Sequence, residues 1–321
     1  MKNLVITVSG IGVTKDFSCL ISNRLTDLEY VGKSQCFPLY YYEKQEKQTS
    51  FFDAPDGSAS YIRKDGVSDF ILEPARQKYG AAVKKEDIFY YVYGFLHSPK
   101  YRITFADDLK KSLPRIPLME SSDDFWTFSK AGRDLAKLHL DYERVPPLPD
   151  VTVNGAQASC LNKQGENIPV SDSILKHGLE NQCSVCVQDT CDTLPERIAE
   201  TVPGVFFGDG RNAAEHLRVE KMRFLAKDRR DTIIFNPHIT IENIPAKAYE
   251  YIVNGKSAIE WIMERYQIKT DKDSGITNDP NLYAEELGSP DYILNLLLSI
   301  IALSIKTQEI IETLPETKGI V

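Results

Sequence analysis

The spacing of apolar residues changes along this chain, and that change constrains its fold more than any other sequence feature. Leu4–Val8 and the aromatic-rich segment Ser34–Tyr42 have the composition of β-strands, joined through Phe17–Val31. Residues 43–65 are polar with little apolar periodicity, which indicates a solvated connection. From Val67 to Leu113 the apolar residues recur at helical spacing, so a helical block is predicted there.

A second helical segment precedes the best candidate for a domain boundary. Phe125–Tyr142 places its apolar residues on one face, as an amphipathic helix does. The pattern stops before the proline-rich stretch Val145–Pro149, because proline cannot continue a helix. The sequence therefore predicts two lobes, residues 1–147 and 148–321.

The second half of the chain mixes strand and helix signals. Thr232–Glu242 predicts a strand, which Pro237 restricts to an edge or a bulge. Within the last predicted helix, Ile293–Ile305 is apolar but shorter than the roughly 20 residues that span a bilayer, so we expect a buried helix and no membrane partner. Helices are predicted at Ala246–Val253, Ala258–Tyr266 and Tyr292–Leu314. Together these patterns predict an α+β fold, with mixed β-sheet elements around a helical middle segment.

Composition restricts the partners and the compartment. The formal net charge is −8, the opposite of what most free-standing nucleic-acid binders carry. DNA binding would therefore require a local basic surface. The six cysteines are unevenly spaced, which does not suggest a secreted disulfide framework, and we expect a cytoplasmic location.

Two long segments resemble one family of bacterial enzymes. Residues 86–118 (EDIFYYVYGFLHSPKYRITFADDLKKSLPRIPL) resemble a stretch that follows the methyltransferase core in single-chain restriction–modification enzymes. Residues 248–281 are similar to the C-terminal specificity domain of the type ISP restriction–modification family, whose members are often labelled predicted helicases. Shorter pieces at 9–42, 125–143 and 216–224 agree in order along the chain. The resemblance implies sequence-specific recognition of double-stranded DNA.

The resemblance also implies that the chemistry lies elsewhere in a larger polypeptide. In that family a nuclease, a translocase and an adenine methyltransferase precede this region. The sequence has no GxxxxGK[ST] phosphate loop, and Asn236–His238 is followed by Ile239 where amino-methyltransferases need an aromatic residue. We expect a non-catalytic fragment, partnered by DNA and by the methyltransferase and translocase domains. S-adenosylmethionine, ATP and magnesium are expected only in those other parts.

Basic residues are the candidate DNA contacts, because lysine and arginine displace counterions from the duplex. Their densest group lies between Leu217 and Ile233 and predicts a basic hairpin or loop that can enter a groove. The alternative is an exposed turn whose charges block edge pairing. The loop at 267–281 offers further cations, whereas its aspartates Asp271, Asp273 and Asp279 count against DNA binding. The candidate DNA-binding residues are Arg63, Lys64, Arg102, Arg115, Arg218, Lys221, Arg223, Lys227, Arg229, Arg230, Lys269 and Lys272.

Cysteine spacing gives a weak zinc candidate. Cys183, Cys186 and Cys191 form C-x2-C-x4-C, and Cys160 or His177 would complete four ligands. Structural zinc sites usually have two close-spaced pairs, and the second pair is absent from this sequence. Ordinary buried cysteines are the alternative, so no metal is assigned.

Another class of function stays open from the sequence. The acidic net charge fits a protein-interaction module that docks the motor or methyltransferase parts. Exposed aromatics at Tyr40–Tyr42 or Tyr90–Tyr93 would supply the contact, since aromatic residues are enriched at interfaces. An enzyme of another type would need a deep pocket with convergent polar groups, and no motif indicates one.

Overall fold

The computed structural model describes residues 3–44, 61–155, 159–161, 167–169 and 213–316. Within these ranges the chain combines helices with small antiparallel sheets, which confirms the predicted α+β class. The chain divides into two compact units. Unit 1 comprises Met1–Tyr142, Tyr251–Lys256 and Ile305–Val321, and unit 2 comprises Glu143–Glu250 and Ser257–Ser304. The lobe boundary placed near Val145–Pro149 from the sequence stays a prediction.

Unit 1 opens with a three-stranded antiparallel sheet and a separate hairpin. The sheet strands are β1 (Val5–Val8), β2 (Cys19–Ser22) and β3 (Gln35–Pro38), and β1 lies between the other two. The hairpin pairs β4 (Tyr40–Lys44) with β5 (Tyr61–Asp65). Leu39 separates β3 from β4 and donates its N–H to the Leu4 carbonyl oxygen at 2.8 Å.

These strands correct three sequence predictions. Ser34–Tyr42 forms two strands instead of one, because the chain leaves the first sheet at Pro38. Phe17–Val31 was predicted as a connection but contains β2, whose four residues are too few to show a clear alternation. Residues 43–65 were predicted as a solvated connection, yet β5 lies within them. All five residues of β5 are exposed, so no apolar alternation marks it.

The helical middle segment is confirmed and supplies most of the core of unit 1. Its helices are α1 (Asp69–Tyr79), α2 (Lys85–Phe95), α3 (Pro99–Thr104), α4 (Asp108–Lys111) and α5 (Ser122–Leu140). α2 and α5 cross closely at Gly94 and Gly132, where a Cβ atom would overlap the backbone of the other helix. The rings of Tyr91 and Phe125 pack at 4.9 Å between these helices. Such aromatic pairs add to the apolar burial that stabilises the unit.

Unit 2 contains a four-stranded antiparallel sheet. Its strands are β6 (Thr152–Asn154), β9 (Arg223–Ala226), β10 (Arg229–Ile234) and β11 (Thr240–Glu242). Between β6 and β9 in the sequence, β7 (Ser159–Leu161) and β8 (Asn167–Pro169) form a separate two-stranded pair. The order β6-β11-β10-β9 leaves β9 at an edge of the described sheet. The short pair β14 (Lys269–Thr270) with β15 (Thr277–Asn278) also lies in unit 2. Another short pair, β12 (Ile252–Val253) with β13 (Lys256–Ser257), includes the unit 1 segment Tyr251–Lys256. The remaining helices are α6 (Ala213–Leu217), α7 (Ala258–Arg265), α8 (Asn281–Glu286) and α9 (Tyr292–Glu312).

Two further predictions are corrected in the second half. Thr232–Glu242 is a hairpin instead of one strand. Asn236 makes the turn, because its side-chain oxygen accepts the N–H groups of His238 at 2.9 Å and Ile239 at 2.8 Å. Ala246–Val253 is a 3₁₀ turn at Ala246–Tyr249 followed by β12, and not a continuous helix.

The long apolar helix α9 is a core helix, as the sequence predicted. By length and composition it could cross a membrane, but 67% of its apolar window is buried inside the structure. Nine of its apolar residues are buried: Ile293, Leu294, Leu296, Leu297, Leu298, Ile300, Ile301, Ala302 and Leu303.

Candidate nucleic-acid interface

The predicted basic segment folds as the hairpin β9–β10, here called the basic hairpin. Ala226 pairs with Arg229, so Lys227 and Asp228 form a two-residue turn at its tip. The outer strand of the pair is β9, at the edge of the described sheet. The segment is thus a hairpin whose outer strand carries charges at the sheet edge, which is compatible with both interpretations that the sequence left open.

One cation of the basic hairpin contacts residues elsewhere in unit 2. The guanidinium of Arg230 lies 4.5 Å from the ring centre of Tyr249 and 5.0 Å from that of Phe224, and it pairs with Glu260 at 2.6 Å. Burial alone would raise the pKa of Glu260, but hydrogen bonds from Ser257 and the charge of Arg230 hold that pKa below its ordinary value. Arg230 is therefore neutralised and fixed by contacts within unit 2.

Two more of the predicted cations are also paired. Arg229 donates to both oxygens of Asp231, at 2.9 and 3.3 Å. Arg218 pairs with Asp279 and lies 3.6 Å from Glu285. A paired guanidinium presents less net charge to a phosphate than an unpaired one, so Arg218 and Arg229 remain predicted contacts but are weaker candidates than the unpaired cations.

The other three cations of this segment remain available. Lys221, Arg223 and Lys227 are exposed, and none has an ion-pair partner within the part of the chain that the structure describes. They lie before, on and after the edge strand β9. Exposed, unpaired cations are the side chains that can neutralise phosphates at the least desolvation cost.

The pair β14–β15, called the second hairpin, occupies the loop predicted to offer polar contacts. Thr270 and Thr277 face each other with their Oγ1 atoms 2.8 Å apart. The carboxylate of Asp271 accepts the backbone N–H and the hydroxyl of Ser274, both at 2.8 Å, and these bonds hold its pKa below the ordinary value. Lys269 and Lys272 are exposed and have no ion pair among the described residues.

Hydrogen bonds connect the two hairpins through the residues that flank them. The Asn281 side chain makes two hydrogen bonds to the backbone of Val219. Its Oδ1 accepts the Val219 N–H at 2.9 Å, and its Nδ2 donates to the Val219 carbonyl oxygen at 2.8 Å. Ile268 donates its N–H to the carbonyl oxygen of Glu220 at 2.9 Å. These bonds join the residues just before the basic hairpin to Ile268 and Asn281, which precede and follow the second hairpin. We call the five unpaired cations of the two hairpins the two-hairpin site: Lys221, Arg223, Lys227, Lys269 and Lys272.

Two candidates in unit 1 lie on β5. The guanidinium of Arg63 stacks over the ring of Tyr40 at 4.4 Å. Lys64 pairs with Glu43 on the neighbouring strand. Both side chains are exposed, and Lys64 has a partner that partly satisfies its charge.

The other two candidates in unit 1 differ in exposure. Arg102 is half-buried, and it donates to the Leu96 carbonyl oxygen at 2.6 Å and to the Cys19 sulfur at 3.3 Å. Its contacts are those of a structural residue. Arg115 is exposed beside a pocket of about 650 Å³ that Tyr101, Phe105 and Leu113 help to line.

Sequence reasoning missed two kinds of residue in this region. Asp279 was counted against DNA binding, but its carboxylate pairs with Arg218, which precedes the basic hairpin. Leu225 was overlooked, although 48% of its surface is exposed between the cations of β9. An isolated leucine alternating with Arg223 and Lys227 was the signal available in the sequence.

The zinc candidate is not tested by the structure. Cys183, Cys186 and Cys191 lie outside the described residues, as does His177, and only the backbone of Cys160 is described. Among the residues that are described, there is no group of three or more side chains able to hold a metal ion.

Comparisons with known proteins point to one family. The family model "Type ISP C-terminal specificity domain" matches residues 1–296. A search of curated proteins finds no match. Among solved structures, this chain is similar to the ATP-dependent type ISP restriction–modification enzyme LlaBIII bound to DNA, with a TM-score of 0.69 and 34% identity over 99% of this chain and 16% of that one.

Two other solved structures are similar over the same length. One is a nuclease-deletion mutant of the type ISP restriction–modification enzyme LlaGI in complex with a DNA substrate mimic, with a TM-score of 0.64, 35% identity, and coverage of 99% of this chain and 22% of that chain. The other is a DrdV–DNA complex, with a TM-score of 0.66, 25% identity, and coverage of 99% and 25%. This chain thus spans a quarter or less of the length of the structures it matches.

Proposed function

Because this chain belongs to the family of type ISP C-terminal specificity domains, we propose that it recognises a specific sequence in double-stranded DNA for a bacterial restriction–modification enzyme. In this proposal it is the non-catalytic part of a larger cytoplasmic protein. Nuclease, translocase and methyltransferase activities belong to other domains of the same polypeptide, which are also its partners. S-adenosylmethionine, ATP and magnesium are assigned to those domains.

The two-hairpin site is the observation that carries the proposal. Five cations stand unpaired among the described residues of a chain whose net charge is −8. A protein with this excess of acidic groups has acidic partners available for surface cations, as Arg218, Arg229 and Arg230 show. Exposed cations left without such partners on two hairpins are suited to an external anion, and a DNA backbone supplies phosphates in series.

The hairpin geometry also suits a duplex. The major groove of B-DNA is about 12 Å wide and admits a two-stranded β-ribbon. In such docking, lysine and arginine fix the protein on the phosphates, while other side chains read the base edges. Lys221 and Lys227 flank β9 at its two ends, so they can hold phosphates on either side of that strand. The likeness to DNA complexes of LlaBIII and LlaGI, over nearly the full length of this chain, supports the same proposal.

A second function is favoured by the β4–β5 hairpin. Tyr91 and Tyr93, which the sequence offered as exposed aromatics, are buried. Tyr41 and Ile62 are each more than 40% exposed and lie on one face of the paired strands, and the exposed Tyr61 lies on the other face. Exposed aromatic residues in a group are typical of protein interfaces. We propose that this hairpin docks another domain of the same enzyme. Replacing Tyr41 and Ile62, which share a face, by serine should weaken that association in the full-length enzyme and leave the DNA affinity of the 321-residue chain unchanged.

Selection from a randomised duplex pool tests DNA recognition. The purified chain is incubated with the pool at low salt, and the bound fraction is amplified and sequenced over several rounds. Enrichment of one motif, with that motif bound more tightly than a scrambled duplex, is the expected result. Binding without any enriched motif would reduce the proposal to non-specific DNA contact, and the absence of binding would refute it.

A further inference from the structure

We infer that Leu225 reads a pyrimidine 5-methyl group, carried by thymine or by 5-methylcytosine, in the duplex bound by the basic hairpin. The inference rests on the proposed DNA-binding function and adds a specificity-determining residue to it. It follows from where the strand places this leucine and from what a leucine side chain is able to recognise.

The alternation of β9 directs Leu225 toward the exposed side of the hairpin. Successive residues of a strand point to opposite faces, so Leu225 shares a face with Arg223. The intervening residue, Phe224, points the other way, where it is half-buried against Tyr249 with ring centres 5.8 Å apart. The packed face of β9 is thus fixed by Phe224, and Leu225 cannot turn inward without displacing that ring.

A bulge leaves Leu225 without a directly opposed residue. Phe224 pairs with Ile233, and Ala226 pairs with Arg229, so one residue of β9 faces three residues of β10. On its other side β9 is the edge of the described sheet. Bulges re-aim side chains and occur preferentially at edges and functional sites. Here the bulge explains why 48% of the leucine surface stays exposed in the middle of a strand.

The neighbouring charges indicate that this apolar side chain meets DNA. Lys221, Arg223 and Lys227 surround Leu225 along the chain and are unpaired among the described residues. Three adjacent cations disfavour an apolar protein partner, because docking would bury them without compensation. A polyanion satisfies them and brings its own apolar groups to the leucine.

The chemistry of the base edges then selects one group. A leucine side chain has no hydrogen-bond donor or acceptor, so it cannot distinguish the polar atoms of the major groove. The 5-methyl group of thymine is the apolar feature displayed there. Methylation of cytosine at carbon 5 places the same group on a C·G pair. Leu225 is therefore expected to favour one position at which a 5-methyl group is present.

A double-mutant cycle, which combines a substitution in the protein with a substitution in the DNA, tests this inference. Each thymine of the selected motif is replaced in turn by deoxyuridine, which removes only the methyl group, and each cytosine is replaced in turn by 5-methylcytosine. Dissociation constants are measured for the wild-type chain and for Leu225→Ala at one salt concentration. Circular dichroism confirms that the variant folds, and Leu225→Met serves as the variant that retains an apolar side chain.

One methyl-dependent position should appear in the wild-type protein and disappear in the variant. Burial of one methyl-sized group corresponds to about a fourfold change in affinity. Loss of affinity with deoxyuridine identifies thymine as the source of the group, and gain with 5-methylcytosine identifies methylated cytosine. Leu225→Met should retain the effect at the same position.

The failure of this inference is distinguishable from failure of the proposed function. If the wild-type chain binds its motif and both proteins respond equally to every methyl substitution, Leu225 does not read a methyl group and the inference is wrong. If the chain binds no duplex at low salt, the proposed function is refuted and the inference is refuted with it.

Discussion

Acid should destabilise unit 1 through the buried histidine His139. Its ring is hydrogen-bonded at Nδ1 to the Tyr93 hydroxyl, over 2.6 Å, and at Nε2 to the Thr307 hydroxyl, over 3.0 Å. Burial raises the pKa of Tyr93 well above its ordinary value, so the phenol keeps its proton. Burial, and then the charge of Arg102, lower the pKa of His139 to about 3. The ring is therefore neutral in the folded protein.

The magnitude follows from the difference between the folded and unfolded pKa values. An unfolded histidine titrates near pH 6.5, so between about pH 3 and 6.5 the unfolded chain binds a proton that the folded chain does not. Stability is complete above this window and falls as the pH falls through it. At pH 5 the loss from His139 is about 2 kcal/mol, since each pKa unit corresponds to about 1.4 kcal/mol. His97, whose pKa burial also lowers, adds a loss of the same sign.

Urea denaturation of wild-type and His139→Gln proteins at pH 7.5, 6 and 5 measures this effect. His139→Gln should be less stable at pH 7.5, because it disturbs a buried hydrogen-bond pair. The stability difference between the two proteins should then shrink by about 2 kcal/mol by pH 5. Tyr93→Phe, which keeps the histidine, should retain the acid sensitivity. Parallel pH profiles for wild type and His139→Gln would refute the reasoning.

Three further substitutions test the packing and the site. Gly132→Ala should destabilise unit 1 by about 1–3 kcal/mol in urea denaturation, because the added Cβ overlaps the Tyr90 carbonyl oxygen; an unchanged midpoint would contradict the close helix crossing. Asn281→Ala should cost about 1–3 kcal/mol by removing both hydrogen bonds to Val219, and limited proteolysis should detect faster cleavage in the second hairpin. Arg102→Gln should lower thermal stability without changing DNA affinity, and a selective loss of affinity would show that Arg102 contacts DNA after all.

Local patterns in the sequence were sufficient to locate helices in which many apolar residues recur at regular spacing. The amphipathic helix predicted at Phe125–Tyr142 forms at Ser122–Leu140, since a long apolar stripe and the following prolines define it from both sides. The strand β5 was not predicted because none of its residues is buried. The strands β14 and β15 were not predicted because each has only two residues. In both cases the pairing partner, and not the strand itself, determines the structure.

The candidate site depends on contacts between residues distant in the sequence. Six cations lie between Arg218 and Arg230, and the sequence gives no means of ranking them. The structure separates them because Asp279 lies 61 positions beyond Arg218 and Glu260 lies 30 positions beyond Arg230. Both carboxylates reach their partners only after folding. Net charge and local density therefore indicate a basic segment, whereas the choice of unpaired cations requires the folded chain.

The salt dependence of binding tests most directly whether the basic hairpin holds DNA phosphates. The dissociation constant for the selected duplex is measured by fluorescence anisotropy over a range of salt concentrations. The test variant replaces Lys221, Arg223 and Lys227 by glutamine. The control replaces Lys130, Lys137 and Arg144, which are exposed outside the two hairpins, and removes the same amount of charge.

Each phosphate contact contributes about 0.9 to the slope of log affinity against log salt. If all three side chains contact phosphates, the slope of the test variant should be about 2.7 shallower than that of the wild type, and the control should keep the wild-type slope. Equal slopes for the wild type and the test variant would contradict the account, and so would equal losses in the test and control variants, since the effect would then reflect net charge alone.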